Sequence, residues 1–180
     1  MELREELAGD GQAVRELHLQ AFGGHGGVVS DLVDSLREAG AGSLSLVAER
    51  GGRVVGHVMF TSSLLDAPRR LVEVQVLSPL AVRPEFHRHG IGSALVRYGL
   101  GILAERAVPL VWLEGDPGYY SRLGFEAGGG LGFRRPSLRI PEGAFQVFRL
   151  PEYERWMTGT LVYPDTFWRH DSVGLRSPDA

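Results

Sequence analysis

The sequence contains no cysteine. Disulfides, zinc–thiolate sites and an acyl-cysteine intermediate are therefore excluded, and any group transfer must proceed without a thiol nucleophile. Long hydrophobic runs are also missing, since no stretch approaches the ~18 apolar residues of a membrane span. The acidic start Met1-Glu2-Leu3-Arg4-Glu5-Glu6 lacks the apolar segment of a secretory leader, so a cytoplasmic location is expected. Positive charge is not in excess: 19 Lys and Arg stand against 22 Asp and Glu, for a net charge of -3. With no convincing local basic patch, neither nucleic acid nor a membrane surface is an expected partner. No paired-histidine helix motif is present, so no metal is expected.

What is present fits one soluble domain, with 43% hydrophobic and 23% charged residues over 180 positions. We expect a single domain spanning 1–180, with a core of about 3–150 and a C-terminal extension of about 151–180. A strand at Leu3–Glu6 precedes a helix capped by Asp10, with Val14, Leu17 and Ala21 on one face. Gly23-Gly24-His25-Gly26-Gly27 breaks it. Val29, Leu32, Val33 and Leu36 mark a second helix ended by Gly40. Leu44–Glu49 and Arg53–Phe60 form a hairpin about Gly51-Gly52, and Leu71–Val82 is a central strand in which Pro79 predicts a bulge or splayed edge. A helix over about Gly90–Arg106 places Ile91, Leu95, Tyr98 and Ile102 on one face. Leu110–Leu113, Gln146–Phe148 and Thr160–Tyr163 read as strands, Pro117 opens a short helix that Gly124 closes, and Ser172–Ala180 reads as a loose tail.

The chemistry centres on Leu80-Ala81-Val82-Arg83-Pro84-Glu85-Phe86-His87-Arg88-His89-Gly90-Ile91-Gly92-Ser93-Ala94-Leu95, a strand turning into a glycine-started helix. Amides at a helix N-terminus, aided by the helix dipole, can hold a pyrophosphate without basic side chains. No Gly-Lys-Ser/Thr follows, so this is not a P-loop, and Leu95 stands where a dinucleotide fingerprint needs its third glycine. A tight turn is the bland alternative for Gly90 and Gly92.

The stretch resembles motif A of the GNAT N-acetyltransferase superfamily, matching at Leu80, Val82, Pro84, Gly90 and Gly92, with His87 where Gln or Arg is usual. Downstream, Gly115-Asp116-Pro117-Gly118-Tyr119-Tyr120-Ser121-Arg122-Leu123-Gly124-Phe125 is similar to motif B, and its wording resembles the YhbS-like branch. The resemblance implies an α/β (α+β) GNAT fold: a mixed, mostly antiparallel central sheet flanked by helices, with a splayed strand pair at the CoA site. It also implies an acetyl-CoA-dependent acyltransferase. Amides near Leu80, Ala81 and Val82 would hold pantetheine, and those of Arg88, His89, Gly90, Ile91, Gly92 and Ser93 would hold the pyrophosphate; the side chains of His87, Arg88 and His89 form a weakly basic turn that either touches the CoA phosphates or is ordinary surface.

By the same resemblance Tyr120 is the candidate acid for the departing thiolate, with Tyr119 as fallback; the alternative for Tyr120 is simple packing with a satisfied hydroxyl. Glu73 shares a strand face with Gln75 and is the candidate base, against an ordinary solvated glutamate. A lysine-like amine is neutral in only ~1 of 2,500 molecules at pH 7, costing ~4.6 kcal/mol, whereas an α-amine costs ~1 kcal/mol and needs little from a base. His25 borders the acceptor pocket in the family, though exposure is its commoner fate, and Trp156, Phe167 and Trp168 are core or an apolar wall. The partners implied are acetyl-CoA and a primary amine of a small molecule or peptide; a homodimer is left open. Two other readings are a non-catalytic acyl-CoA-binding module acting as a sensor, and an interaction protein whose groove holds no CoA.

Overall fold

The computed structural model describes residues 1–176. These form two compact units: Met1–Thr61 with Leu77–Ile102, and Ser62–Val76 with the chain from Leu103 onward. The strands β3 (Arg53–Asp66) and β4 (Leu71–Val82) contribute residues to both.

In the first unit, β1 (Glu2–Glu5) pairs antiparallel with β2 (Gly42–Arg50), which pairs antiparallel with β3. Gly51 and Gly52 make the hairpin turn at φ +59° and +75°, the doubly left-handed conformation that matches strand twist. Successive residues of β3 face opposite sides. Gly56 lies so close to Ile91 and Leu95 that a Cβ there would meet both at 2.9 Å, so α3 (Ile91–Glu105) packs down on that face. His57 points the other way, to His18 of α1 (Gly11–Phe22). α1 and α2 (Gly26–Glu38) are joined by the single turn Gly23–His25 and tied by Arg15 to Asp31 and Asp34 at 2.8 and 2.7 Å.

Two sequence expectations fail here. Asp10 does not cap α1; its carboxylate binds Arg4 at 2.6 Å and accepts the Leu7 amide, a stronger charge-assisted arrangement. Tyr98 is exposed: the buried stripe of α3 runs through Ile91, Leu95, Val96, Leu100 and Leu103.

A polar chain crosses this core. His18 Nε2 lies 2.8 Å from His57 Nδ1, His57 Nε2 lies 2.8 Å from Ser45 Oγ, and Ser45 bonds the Glu6 carboxylate, which Arg37 holds at 2.6 Å. A carboxylate only accepts, so the Ser45 proton points to Glu6 and the Ser45 oxygen accepts from His57 Nε2–H. His57 Nδ1 is then an acceptor, and His18 donates to it from Nε2. Among the described residues His18 Nδ1 is left as a buried acceptor without a partner.

Burial drives the His18 pKa down to about 3, the charge of His57 adding to the effect, and lowers His57 as well, against the pull of Glu6. The unfolded chain thus takes up these protons first. Stability is full above pH ~6.5 and falls by ~1.4 kcal/mol per pH unit for each such histidine as pH drops, for His18 down to about pH 3. Glu114, raised by burial, acts with opposite sign, but its contribution is common to wild type and variant. We expect urea unfolding of His18→Leu between pH 6 and 4 to show a slope shallower by about one proton; equal slopes would show that His18 is not held neutral.

In the second unit, β4 pairs parallel with β5 (Leu110–Glu114) at Gln75↔Val111 and Val76↔Trp112, and β4 runs on through Leu77–Val82 beyond the last of these pairs. Of the bulge or splayed edge expected at Pro79, the pairing with β5 ends at Val76, before the proline, and the strand itself runs on through a cis Ser78–Pro79 bond. β8 (Phe145–Arg149) lies antiparallel to β5, and β6 (Glu126–Ala127) to β8. β9 (Gly159–Val162), from the C-terminal extension, pairs antiparallel with Leu64–Asp66 of β3 and parallel with β7 (Phe133–Arg134). The sheet is thus mixed and mostly antiparallel.

The tail is not loose as far as it is described. Val173 is buried, and the Gly174 amide donates to Glu114 Oε2 at 3.0 Å while Tyr163 Oη donates to Oε1 at 3.0 Å. Residues 177–180, the rest of the expected tail, lie outside the described residues. No helix among the described residues is long and apolar enough to cross a membrane.

Candidate active site

The turn after β4 is built in the first unit. Arg83 is buried and fixes the strand end three times: its amide donates to Val55 O at 2.9 Å, Nε to Val54 O at 2.8 Å, and Nη1 to Gln20 Oε1 at 2.5 Å. Leu80 and Val82 are half-buried and Ala81 is buried. His87 folds back and donates from Nε2 to Val82 O at 2.9 Å, and His89 donates from Nδ1 to His87 O at 2.8 Å. Both imidazoles therefore brace the turn and remain exposed.

Arg88 at φ +63° and Gly90 at φ +77° adopt the left-handed conformation, the kind of backbone that forms anion-binding nests. The Ala94 amide closes the first turn of α3 on Gly90 O at 3.0 Å. The opening amides of any helix have no carbonyl behind them, and here Ile91 and Gly92 open it. A Cβ on Gly90 would meet nothing within 4 Å, so the space beside it is open. The residues expected to hold a pyrophosphate thus form one continuous, braced turn with its amides at a helix start.

Tyr120 belongs to the second unit. Asp116 caps α4 (Pro117–Tyr120) by accepting the Gly118 amide at 2.8 Å, and Gly124 ends the following turn at φ +95°. The Tyr120 ring lies edge-on to Tyr119 at 4.8 Å and to Phe125 at 5.7 Å between centroids. Gly115 makes room for it, since a Cβ there would fall 2.5 Å from Tyr120 Cε2. Among the described residues no protein group hydrogen-bonds the Tyr120 hydroxyl. The packing alternative therefore has no protein group to satisfy the hydroxyl. Burial, reinforced by Tyr119, raises the Tyr120 pKa, so the phenol keeps its proton at neutral pH.

Glu73 is exposed on β4 and lines two cavities of about 410 and 270 Å³, while Gln75 on the same face is buried. None of Tyr120, Tyr119 or Phe125 lines either cavity. His25 is exposed. Phe167 is core, Trp156 is capped by Arg69 and Arg70 at 5.2 and 5.1 Å, and Trp168 is exposed under Arg139. No group of three or more potential ligand side chains is placed to hold a metal among the described residues. Arg83 and the His18–His57 pair escaped the sequence reading; Arg83 alone had a local signal, standing between the strand and Pro84.

Residues 2–128 match the family model described as an acetyltransferase (GNAT) domain. The chain is 35% identical over 173 residues to the uncharacterized N-acetyltransferase YhbS of Escherichia coli K12, covering 94% of this chain and 99% of that one. It is 36% identical over 136 residues to YjhQ of the same organism, 74% of each chain. Its fold superposes on the crystal structure of E. coli YhbS in complex with CoA with a TM-score of 0.86 at 31% identity, over 97% of this chain and 95% of that one. A GNAT acetyltransferase from Brucella melitensis, solved with acetyl-CoA, gives a TM-score of 0.75 at 30% identity, over 92% and 97%. On motif, fold and overall likeness together, this chain belongs to the GNAT acetyltransferase family, in its YhbS-like branch.

Proposed function

We propose that this protein is an acetyl-CoA-dependent N-acetyltransferase acting on a primary amine of a small molecule or peptide by direct attack in a ternary complex. The observation that carries this reading is the turn Arg88–Gly92, with two left-handed residues running into the start of α3 beside open space. The E. coli YhbS structure with CoA and the Brucella structure with acetyl-CoA support the donor.

In this mechanism, main-chain groups of Leu80, Ala81 and Val82 hold pantetheine and polarise the thioester carbonyl; an aimed N–H contributes ~3–4 kcal/mol to a developing oxyanion. Amides from Arg88 through His89, Gly90, Ile91 and Gly92 to Ser93 take the pyrophosphate. His87 acts by holding the turn. The amine nitrogen attacks the carbonyl carbon, the C–S bond breaks as the amide forms, and the CoA thiolate takes a proton from Tyr120, whose phenolate regains one from solvent. The proton released by the amine passes to water, directly or through Glu73. With no cysteine in the chain, an acyl-cysteine detour is closed.

The test combines two readouts. CoA at ~100 times its Kd should stabilise the protein by ~2.7 kcal/mol, and thiol release from acetyl-CoA should require an added amine. Stabilisation without release by any amine would make this a binding module; absence of both would leave an interaction protein.

A further inference from the structure

The second unit holds a cavity of about 640 Å³ that the mechanism above does not use. Its size suits a small organic ligand. Phe133 and Phe145 give it an apolar aromatic surface, and both pack on Trp112, Phe133 edge-on at 4.6 Å and Phe145 stacked at 5.0 Å between centroids. Three charged side chains line it: Arg134, Arg135 and Glu142, a net single positive charge.

Arg134 is committed, donating from Nε to Thr160 Oγ1 at 2.9 Å. Arg135 is not. Among the described residues its Nε is buried without a hydrogen-bond partner, and Nη1 meets Glu142 Oε1 at 3.2 Å, a carboxylate 87% exposed. An exposed pair of that kind is weak, whereas a buried N–H left unpaired is costly. A guanidinium short of acceptors on its Nε edge is suited to a planar oxyanion, which accepts from Nε and Nη together.

The cavity also adjoins the Tyr120 segment. The Gly115 amide donates to Ala144 O at 3.0 Å, the Gln146 amide group donates back to Gly115 O at 3.0 Å, and a Cβ on Gly143 would lie 3.8 Å from Pro117 Cγ. The segment that carries the lining residues Gly143 and Phe145 is thereby bonded, through Ala144 and Gln146, to the Gly115 that makes room for Tyr120.

We propose that this cavity binds a small carboxylic acid with an aromatic or branched apolar body, the body on Phe133 and Phe145 and the carboxylate on Arg135. Resting on the transferase reading, this makes the acceptor an amine that also bears a carboxylate. The ligand's carboxylate takes the edge that Glu142, on Nη1, leaves open, and the negative charge of Glu142 nearby opposes it.

Calorimetry on the full chain without acetyl-CoA tests it, with 3-phenylpropionate, phenylalanine and phenethylamine as probes. The two carboxylates should bind, and phenethylamine at least tenfold more weakly. Arg135→Gln, confirmed folded by its melting curve, should weaken the carboxylates at least tenfold. Glu142→Gln changes an exposed side chain and keeps the fold; it should tighten them severalfold. Equal affinity for phenethylamine, unchanged binding in Arg135→Gln, or unchanged or weaker binding in Glu142→Gln would overturn the proposal. If the carboxylates bind in the expected pattern but no amine is ever acetylated, the cavity assignment stands and the transferase reading fails.

Discussion

Replacing Gly90 with aspartate, or Gly92 with aspartate, is expected to abolish measurable CoA binding. At Gly90 two effects act together. The residue sits at φ +77°, where an L side chain costs ~1–2 kcal/mol, and the new carboxylate would stand beside the amides assigned to the pyrophosphate. The space around a Gly90 Cβ is open, so steric collapse of the fold is not the expected failure. Gly90→Asn separates the two effects, because asparagine tolerates the left-handed conformation and carries no charge. Calorimetry should find binding in Gly90→Asn and none in Gly90→Asp. If both aspartate variants bind CoA as the parent does, the phosphate site has been placed on the wrong turn.

Tyr120→Phe should lower kcat by ~10²–10⁴-fold, the range for loss of a positioned general acid, and leave CoA affinity nearly unchanged. Stability separates this role from packing. A hydroxyl lost from a satisfied buried pair would cost ~1–3 kcal/mol, but the Tyr120 hydroxyl has no protein partner among the described residues, so the melting temperature should hold or rise. Burial raises the phenol pKa, and a thiolate formed beside it is desolvated too, so both proton affinities rise together. The wild-type rate should accordingly show no alkaline loss from this group up to pH ~10, the unperturbed value for tyrosine. Wild-type turnover in Tyr120→Phe with a lowered melting temperature would remove it from the mechanism and direct attention to Tyr119 or a bound water.

Much of this site was legible because its signals are local. A strand of β-branched residues, Pro84, and Gly90 and Gly92 specify the turn and helix start within a short span, and Asp116, Pro117 and Gly124 do the same for the turn bearing Tyr120. What escaped depends on partners remote in sequence. Asp10 looked like a helix cap but found Arg4, and His18 gave no sign that its partner was His57. The tail looked unstructured because nothing near Gly174 announces Glu114, to which its amide is bonded. Tyr98 fitted the helical spacing, yet an amphipathic stripe is about as wide as the surface it covers, and that width includes Val96, Leu100 and Leu103 instead. Arg83 stands between a strand and Pro84, but nothing near it in sequence announces the Val54 carbonyl and Gln20 that its side chain bonds or the Val55 carbonyl that its amide bonds. Glu73 was placed correctly on a strand face, but sequence alternation assigns a face, not what lies opposite it.

The central claim is that the acetyl group passes from CoA to an amine nitrogen on this protein. The most direct measurement is mass spectrometry of reactions containing the protein, acetyl-CoA and a panel of primary amines that includes amino acids with aromatic and branched side chains. The account predicts an N-acetylated product from at least one amine, formed in step with free CoA and lost in Gly90→Asp. Tight CoA binding with no acetylated amine from any member of the panel would contradict it.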